Sequence, residues 1–185
     1  METRFIEEDI AYTGEQLRAH WAYRRFGILG DSLLAFVGPC DVKLEHMKDV
    51  EDLRAGARIY SERMLHFILE CFDADMERVI FRQRLLIILM AEALLRRAPA
   101  LRLQRRGSDL YDGADKLTVS VASVSPVSSL VHAGINVVSR NTPVPTRGLE
   151  DYGIPPREFA QGILSAWMEE VTALRRARCK VRGCD

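Results

Sequence analysis

The stretch RLLIILMAEALLRRA at residues 84–98 constrains the fold more than any other. It is rich in Leu, Ala, Met and Glu, which form helix readily, and Pro99 stops it. Apolar residues fall on nearly every side, so this helix expects cover on most faces and belongs in the centre of a domain. Its uninterrupted apolar run, 85–91, is far short of the roughly 18 residues a membrane span needs. A chain of 185 residues is long enough to bury such a helix once, which predicts a single domain over 1–185. Apolar residues make up 48% and charged residues 28%, which excludes the low-hydrophobicity, high-charge signature of disorder.

The rest of the chain reads as strands and helices around that core. Residues 13–25 predict a helix capped by Thr13, with Leu17 and Trp21 on one face. Gly27 and Gly30 bracket a turn. Leu33–Val37 suits a short buried strand that Gly38-Pro39 ends. Residues 40–56 are acidic and read as a loop with one helical turn. Leu65–Leu69 is a further strand. After the central helix, LRLQR alternates as a strand does, and Asp112-Gly113 signals a turn. KLTVSVASV (116–124) is rich in β-formers. Its alternation puts Leu117, Val119 and Val121 on the core face and Lys116, Thr118 and Ser120 on the other. Residues 129–138 read as a strand broken by Gly134. Pro155 and Pro156 open a final helix. There, Phe159, Ile163, Trp167, Val171 and Leu174 recur at helical spacing.

Lys plus Arg and Asp plus Glu number 26 each. This balance argues against a wholesale electrostatic grip on nucleic acid or anionic membrane. Only Lys43, Lys48, Lys116 and Lys180 are lysines, so a Lys opening a strand stands out. Cys40, Cys71, Cys179 and Cys184 form no CxxC pair, and the charged start is no secretory signal. The expectation is a cytoplasmic protein with free thiols. No zinc motif, P-loop, GxGxxG or serine elbow is present, and no metal site is expected.

From residue 82 onward the order is apolar helix, strand, Asp-bearing turn, strand opening with Lys116, then a strand with Gly-Ile-Asn. LLIILMAEALLRRAPALRLQRRGSDLYDGADKLTVSVAS resembles the biotin protein ligase core. In that family a helix leads to a strand, a Lys-Trp-Pro-Asn-Asp turn, a short hairpin and Gly-Arg-Lys-Leu-Ala-Gly. HAGINVVS resembles the same family's Gly-Ile-Gly-Ile-Asn-Val, and 149–174 its closing helix, so the likeness spans 82–176. KLTVSVAS is also similar to the Lys-(Ile/Val)-Ser-Gly-Ser-Ala strand of lipoate ligases. Gly30-Asp31-Ser32 faintly resembles the Asp-Ser-Thr-Asn that starts the ligase core. As a whole, the chain is similar to an uncharacterised, mainly archaeal family, domain of unknown function 366. The resemblance implies an α+β fold: a mixed or antiparallel sheet flanked by helices, related to class II tRNA synthetase cores. Three departures stand beside it. Arg106, Gly107 and Ser108 replace Trp-Pro-Asn, Val119 stands where both ligase families have Gly, and the Gly-Arg-Gly-Arg-Arg-Gly loop has no counterpart.

By resemblance, Lys116 is the ligases' essential lysine and Asp109 the Asp of their turn; these are the candidate catalytic pair. A fixed cation can hold a carboxylate beside a phosphate and stabilise charge as an acyl-adenylate forms. The plainer alternatives are a strand-edge Lys in a salt bridge and a turn Asp binding local N–H groups. Candidate ligand contacts are Arg105, Arg106, Ser108, Thr118, Ser120, His132, Gly134 and Asn136, with Asp31, Ser32, His66 and Arg82 from upstream. His66 reads more simply as a core histidine, His132 as a strand histidine, Asn136 as a strand-end residue bonded to backbone, and Arg82 as an ion-pair former. Cys40 after Gly-Pro is a weak candidate thioester nucleophile. The resulting expectation is a small-molecule ligase or acyltransferase that takes a carboxylate- or ring-bearing ligand beside Lys116, with ATP and Mg as candidate cofactors. An acceptor protein or tRNA is the candidate partner, and a homodimer is expected by family analogy. Two rivals stand: a non-catalytic ligand binder, and a tRNA- or nucleoside-linked protein using Arg102, Arg105, Arg106, Arg175, Arg176 and Arg178.

Overall fold

The computed structural model describes residues 1–56, 58–138 and 140–184. A five-stranded sheet has the order β1-β2-β3-β8-β7. Its strands are β1 (Glu2–Phe5), β2 (Ser32–Val42), β3 (Ile59–Cys71), β7 (Thr118–Val124) and β8 (Ser129–Val138). All neighbours are antiparallel except β1, which runs parallel to β2 at the edge. A second, three-stranded sheet joins β4 (Leu103–Arg106), β5 (Asp109–Asp112) and β6 (Asp115–Lys116).

Alternation divides the large sheet into two differently covered faces. On one face Leu33, Ala35, Leu65, Phe67, Val131, Ala133 and Ile135 pack under helices α3 (Met76–Arg97) and α4 (Pro156–Lys180). On the other, Leu34, Phe36, Met64 and Ile68 pack under the N-terminal segment, with Tyr12, Trp21 and Ala22. Fully burying a side chain of this size contributes about 1.5–3 kcal/mol, so both layers hold the sheet.

Several expectations change on contact with the fold. β2 does not end at Gly38-Pro39; it runs to Val42 through a shift in register between Gly38 and Cys40. Pro lacks an N–H but can ride a bulge, where no ladder bond is required of it. β8 passes unbroken through Gly134, where Met64 Sδ occupies the space a Cβ would fill. The first helix is shorter than expected, α1 covering Trp21–Phe26. Residues 13–20 form turns, with Thr13 N–H donating to Gln16 Oε1. Residues 40–56 finish β2 and then hold a three-residue 3-10 turn and helix α2 (Val50–Ala55), which Asp49 caps through the Glu51 and Asp52 N–H groups. α3 starts eight residues before the expected 84. It is covered on one side only: Phe81 is 66% exposed, and Ile88 and Leu95 also face solvent. The last turns of α4 likewise project, leaving Leu174 57% exposed.

The strand parity around Lys116 matters most for the site. Residue 117 interrupts the ladder between β6 and β7. Leu117 is buried in the helix-side core, and beyond it the alternation is the reverse of the expected one. Thr118, paired with Ile135, and Ser120, paired with Ala133, lie on the helix face. Val119 and Val121, paired with Gly134 and His132, share the opposite face.

Candidate functional site

A cavity of about 510 Å³ opens over the non-helical face of the sheet, at the end where β3 and β8 meet the small β4–β6 sheet. Its lining includes Lys116, Asp109, Ser108 and Tyr111 from the hairpin, and His132 and Asn136 from β8. The other walls come from Met64 and Tyr60 of β3, from the stretch around α2, and from residues 142–146. A volume of this size suits a small organic ligand.

The Lys116 backbone is held on two sides. It pairs with Tyr111 on β5, while its N–H donates to the Pro145 carbonyl and its own carbonyl accepts from Arg147 N–H. The side chain therefore leaves a fixed base. Its Nζ lies 2.8 Å from Asp109 Oδ2, and both side chains are largely buried. Asp109 opens β5 rather than sitting in the turn; Gly107 and Ser108 form the turn, with Gly107 at φ 61°. Burial raises the Asp109 carboxyl above its usual range, although Lys116 pulls the other way. For Lys116, burial opposes the charge, but the Asp109 hydrogen bond and charge outweigh it and hold the ammonium above its usual value.

Two acceptors nearby lack donors. Asp109 Oδ1 and Asn136 Oδ1 are buried without a hydrogen-bond partner. The Asn136 amide is oriented by Nδ2, which faces the Lys116 carbonyl at 3.5 Å. A buried polar atom left unpaired costs about 1–3 kcal/mol, so such atoms point to a missing partner.

His132 and His66 form a buried pair, with Nε2 of His132 3.1 Å from Nδ1 of His66. His66 Nε2 is 3.2 Å from the Gly38 carbonyl. Tyr12 stacks on His132 with ring centres 3.6 Å apart. Burial pushes the His66 imidazole down to about 3, although the Gly38 and Pro39 carbonyls act in the opposite sense. Burial, and then His66, holds His132 well below its usual value.

The fold thus gathers Lys116, Asp109, Ser108, Asn136 and His132 around one cavity, with Gly134 in the strand between His132 and Asn136, while Ser120 borders it from a strand position whose hydroxyl turns to the helix side. The Ser120 hydroxyl is already engaged, accepting from Gln83 and donating to the Ser108 carbonyl. The remaining candidates stand elsewhere. Thr118 Oγ1 accepts from Leu110 N–H on the helix side, where strand parity places it. Arg105 and Arg106 lie on the exposed strand β4; Arg105 donates to the Gly107 carbonyl and Arg106 covers the Tyr111 ring. Asp31 accepts from Phe72 N–H, Ser32 is buried, and Arg82 is paired with Asp73 at 2.6 Å. Cys40 is buried and its thiol is pushed up to about 12 by burial and then by Asp41, the reverse of an activated nucleophile. Sequence reasoning missed Tyr12, Met64, Tyr60 and the 142–146 segment. Only their tertiary position marks them.

The family described as "Domain of unknown function (DUF366)" matches residues 1–182. A structure from Pyrococcus horikoshi, described as a protein of unknown function, is 41% identical with a TM-score of 0.91, covering 99% of this chain and 100% of that one. An uncharacterized protein of Methanocaldococcus jannaschii is 36% identical over 156 residues, which is 81% of this chain and 70% of that protein. The biotin protein ligase of Aquifex aeolicus in complex with biotin and ATP has a TM-score of 0.59 at 15% identity, covering 92% and 70%. A lipoate protein ligase-like protein of T. acidophilum with bound lipoic acid has 0.60 at 13%, covering 93% and 86%. At such identities the likeness is one of fold, and the fold is the biotin/lipoate protein ligase-like core.

Proposed function

The chain belongs to the family described as domain of unknown function DUF366, and on that footing we propose that it is a small-molecule ligase or acyltransferase whose cavity takes a carboxylate- or ring-bearing ligand beside Lys116. One observation carries this reading: a largely buried ammonium on a fixed backbone, bonded to a largely buried carboxylate at the wall of a cavity of about 510 Å³. An ammonium has three donors. Asp109 takes one, which leaves others for a ligand carboxylate. A cation held this way stabilises negative charge without reorganising. Tyr60, Met64, Tyr111 and Val119 give the cavity apolar and aromatic wall, which suits a ring or chain.

ATP with magnesium is the candidate second substrate, since an A. aeolicus ligase of this fold holds biotin and ATP. The lining is charge-balanced: Lys48, Arg58 and Lys116 stand against Asp49, Asp52 and Asp109. A triphosphate needs a surplus of cations or a cradle of N–H groups, and these residues do not supply that surplus. Among the described residues, no group of three or more His, Cys, Asp or Glu side chains is placed to hold a metal ion. The proposed acid-binding step rests on Lys116 and Asp109. The same balance favours a second reading, a ligand binder that does not form an adenylate.

Calorimetric titration of a panel of carboxylic acids into wild type and Lys116→Ala tests the shared part. Wild type should bind at least one acid, and Lys116→Ala, with unchanged circular dichroism, should bind it at least about tenfold more weakly. Equal affinity in the two proteins ends the proposal. ATP–pyrophosphate exchange with the same panel then separates the readings: exchange marks a ligase, and binding without exchange marks a binder or an ATP-independent acyltransferase.

A further inference from the structure

β8 carries a second polar group at a distance from Lys116. His132, Gly134 and Asn136 alternate along one face of the strand, the face opposite α3 and α4. Asn136 abuts the Lys116 carbonyl, and His132 lies four residues along the strand, about 13 Å away. Between them Gly134 has no side chain, and Met64, Val119 and Val121 supply apolar wall to the cavity that His132 lines.

A chain of hydrogen bonds sets the polarity of His132. The Gly38 carbonyl can only accept, so its partner, His66 Nε2, carries the proton. A neutral imidazole has one N–H, so His66 Nδ1 accepts and His132 Nε2 donates to it. This leaves His132 Nδ1 as a bare lone pair. Tyr12, stacked on the ring, holds its plane. Burial keeps both imidazoles neutral. A ring of such low basicity takes a proton poorly, yet it still accepts a hydrogen bond.

We infer that His132 reads the far end of the ligand, accepting a hydrogen bond from a hydroxyl or neutral N–H group carried on an elongated acid whose carboxylate lies at Lys116. His66 is the positioning residue that fixes the tautomer. The inference rests on the reading of Lys116 given above. It disfavours a charged amine at the far end, because the hydrogen-bond partners of the two imidazoles among the described residues are each other and the Gly38 carbonyl, none of which offsets the desolvation of a cation.

The probes are ω-hydroxyoctanoate, its methyl ether and octanoate, each titrated into the full chain. Wild type should prefer the hydroxy acid to its ether by about tenfold, and His132→Phe should abolish that preference. Lys116→Ala should weaken all three. In ¹⁵N spectra of the free protein, His132 Nδ1 should appear as an unprotonated nitrogen and shift when ω-hydroxyoctanoate is added. A protonated Nδ1 overturns the inference. So does equal affinity for hydroxy acid and ether, or a preference that survives in His132→Phe. In each of those cases the Lys116 reading stands if Lys116→Ala still weakens binding. If Lys116→Ala changes nothing, that reading falls and the inference falls with it; if none of the three acids binds, the inference alone falls.

Discussion

His66 and His132 are buried, and both resist protonation in the folded state, His66 down to about 3. In the unfolded chain each imidazole titrates near 6.5. Their folded pKa values are therefore depressed, and the sign follows. Above about pH 6.5 neither state binds the proton and the stabilisation is fully present. As pH falls from there toward about 3, the unfolded chain takes up protons that the folded one refuses, and stability drops. Within that window His66 contributes a slope of about 1.4 kcal/mol per pH unit, and His132 acts in the same direction. Urea unfolding at pH 7 and pH 5 should show a marked loss at pH 5 in wild type and a smaller loss in His132→Phe. Equal losses in the two proteins would contradict the buried neutral pair. The Lys116–Asp109 pair illustrates a different limit. Lys116 was legible as a residue because lysines are scarce here and this one opens a strand. That its partner is Asp109, and that Asp109 Oδ1 is left without a donor, follows from the Gly107-Ser108 turn and not from the residue's identity.

At the scale of elements, the register shift in β2 ties the N-terminal segment to the sheet. Ile10 N–H donates to the Val37 carbonyl, Tyr12 N–H to the Pro39 carbonyl, and Asp41 N–H to the Tyr12 carbonyl. Gly38 permits this approach, since a Cβ there would collide with the Ile10 backbone. Gly38→Ala should therefore cost about 1–3 kcal/mol or more in urea unfolding, because backbone cannot move aside as a side chain does. It should also disturb the Tyr12 ring over His132. Gly134→Ala meets the flexible end of Met64 instead and should cost less. A larger loss for Gly134→Ala than for Gly38→Ala would reverse this ranking. The strands of the large sheet were visible as apolar runs, but their ends were not. β2 extends past Val37 to Val42 and β3 begins at Ile59, six residues before Leu65, because pairing across the sheet carries polar residues that have no strand signal of their own. The alternation after Lys116 was legible as alternation, and Leu117 is core as expected, yet the phase is reversed from Thr118 onward. One residue outside the ladder exchanges the two faces of everything that follows.

For the molecule as a whole, burial is concentrated where α3 and α4 cover the sheet. Within α4 the buried residues are Phe159, Ala160, Ile163, Leu164 and Trp167, all in its first half. Truncation after Ala173 should change the melting temperature by no more than a few degrees, since the lost residues bury little. Trp167→Ala, by contrast, opens a hole in the main core and should cost about 3–5 kcal/mol. Similar losses in both variants would show that the distal half of α4 is covered by something beyond this chain. No helix is long and apolar enough to cross a membrane among the described residues.

The sequence by itself determined the class of fold and its anchors. The period-two runs, the helix ending at Pro99 and the Pro155-Pro156 start are local signals, set by backbone sterics and side-chain branching within a few residues. It also marked Lys116 and Asn136, through an order of elements shared with the ligase core. Tertiary structure alone decided which of the marked residues share a cavity. Arg82, Asp31 and Thr118 were as plausible on paper as His132, yet they are bonded elsewhere, while Tyr12 and Met64 arrive from distant segments. Contacts between residues far apart in the chain depend on strand register and on where one residue leaves the ladder. Both are settled by the free energy of the whole packed core and not by any local stretch.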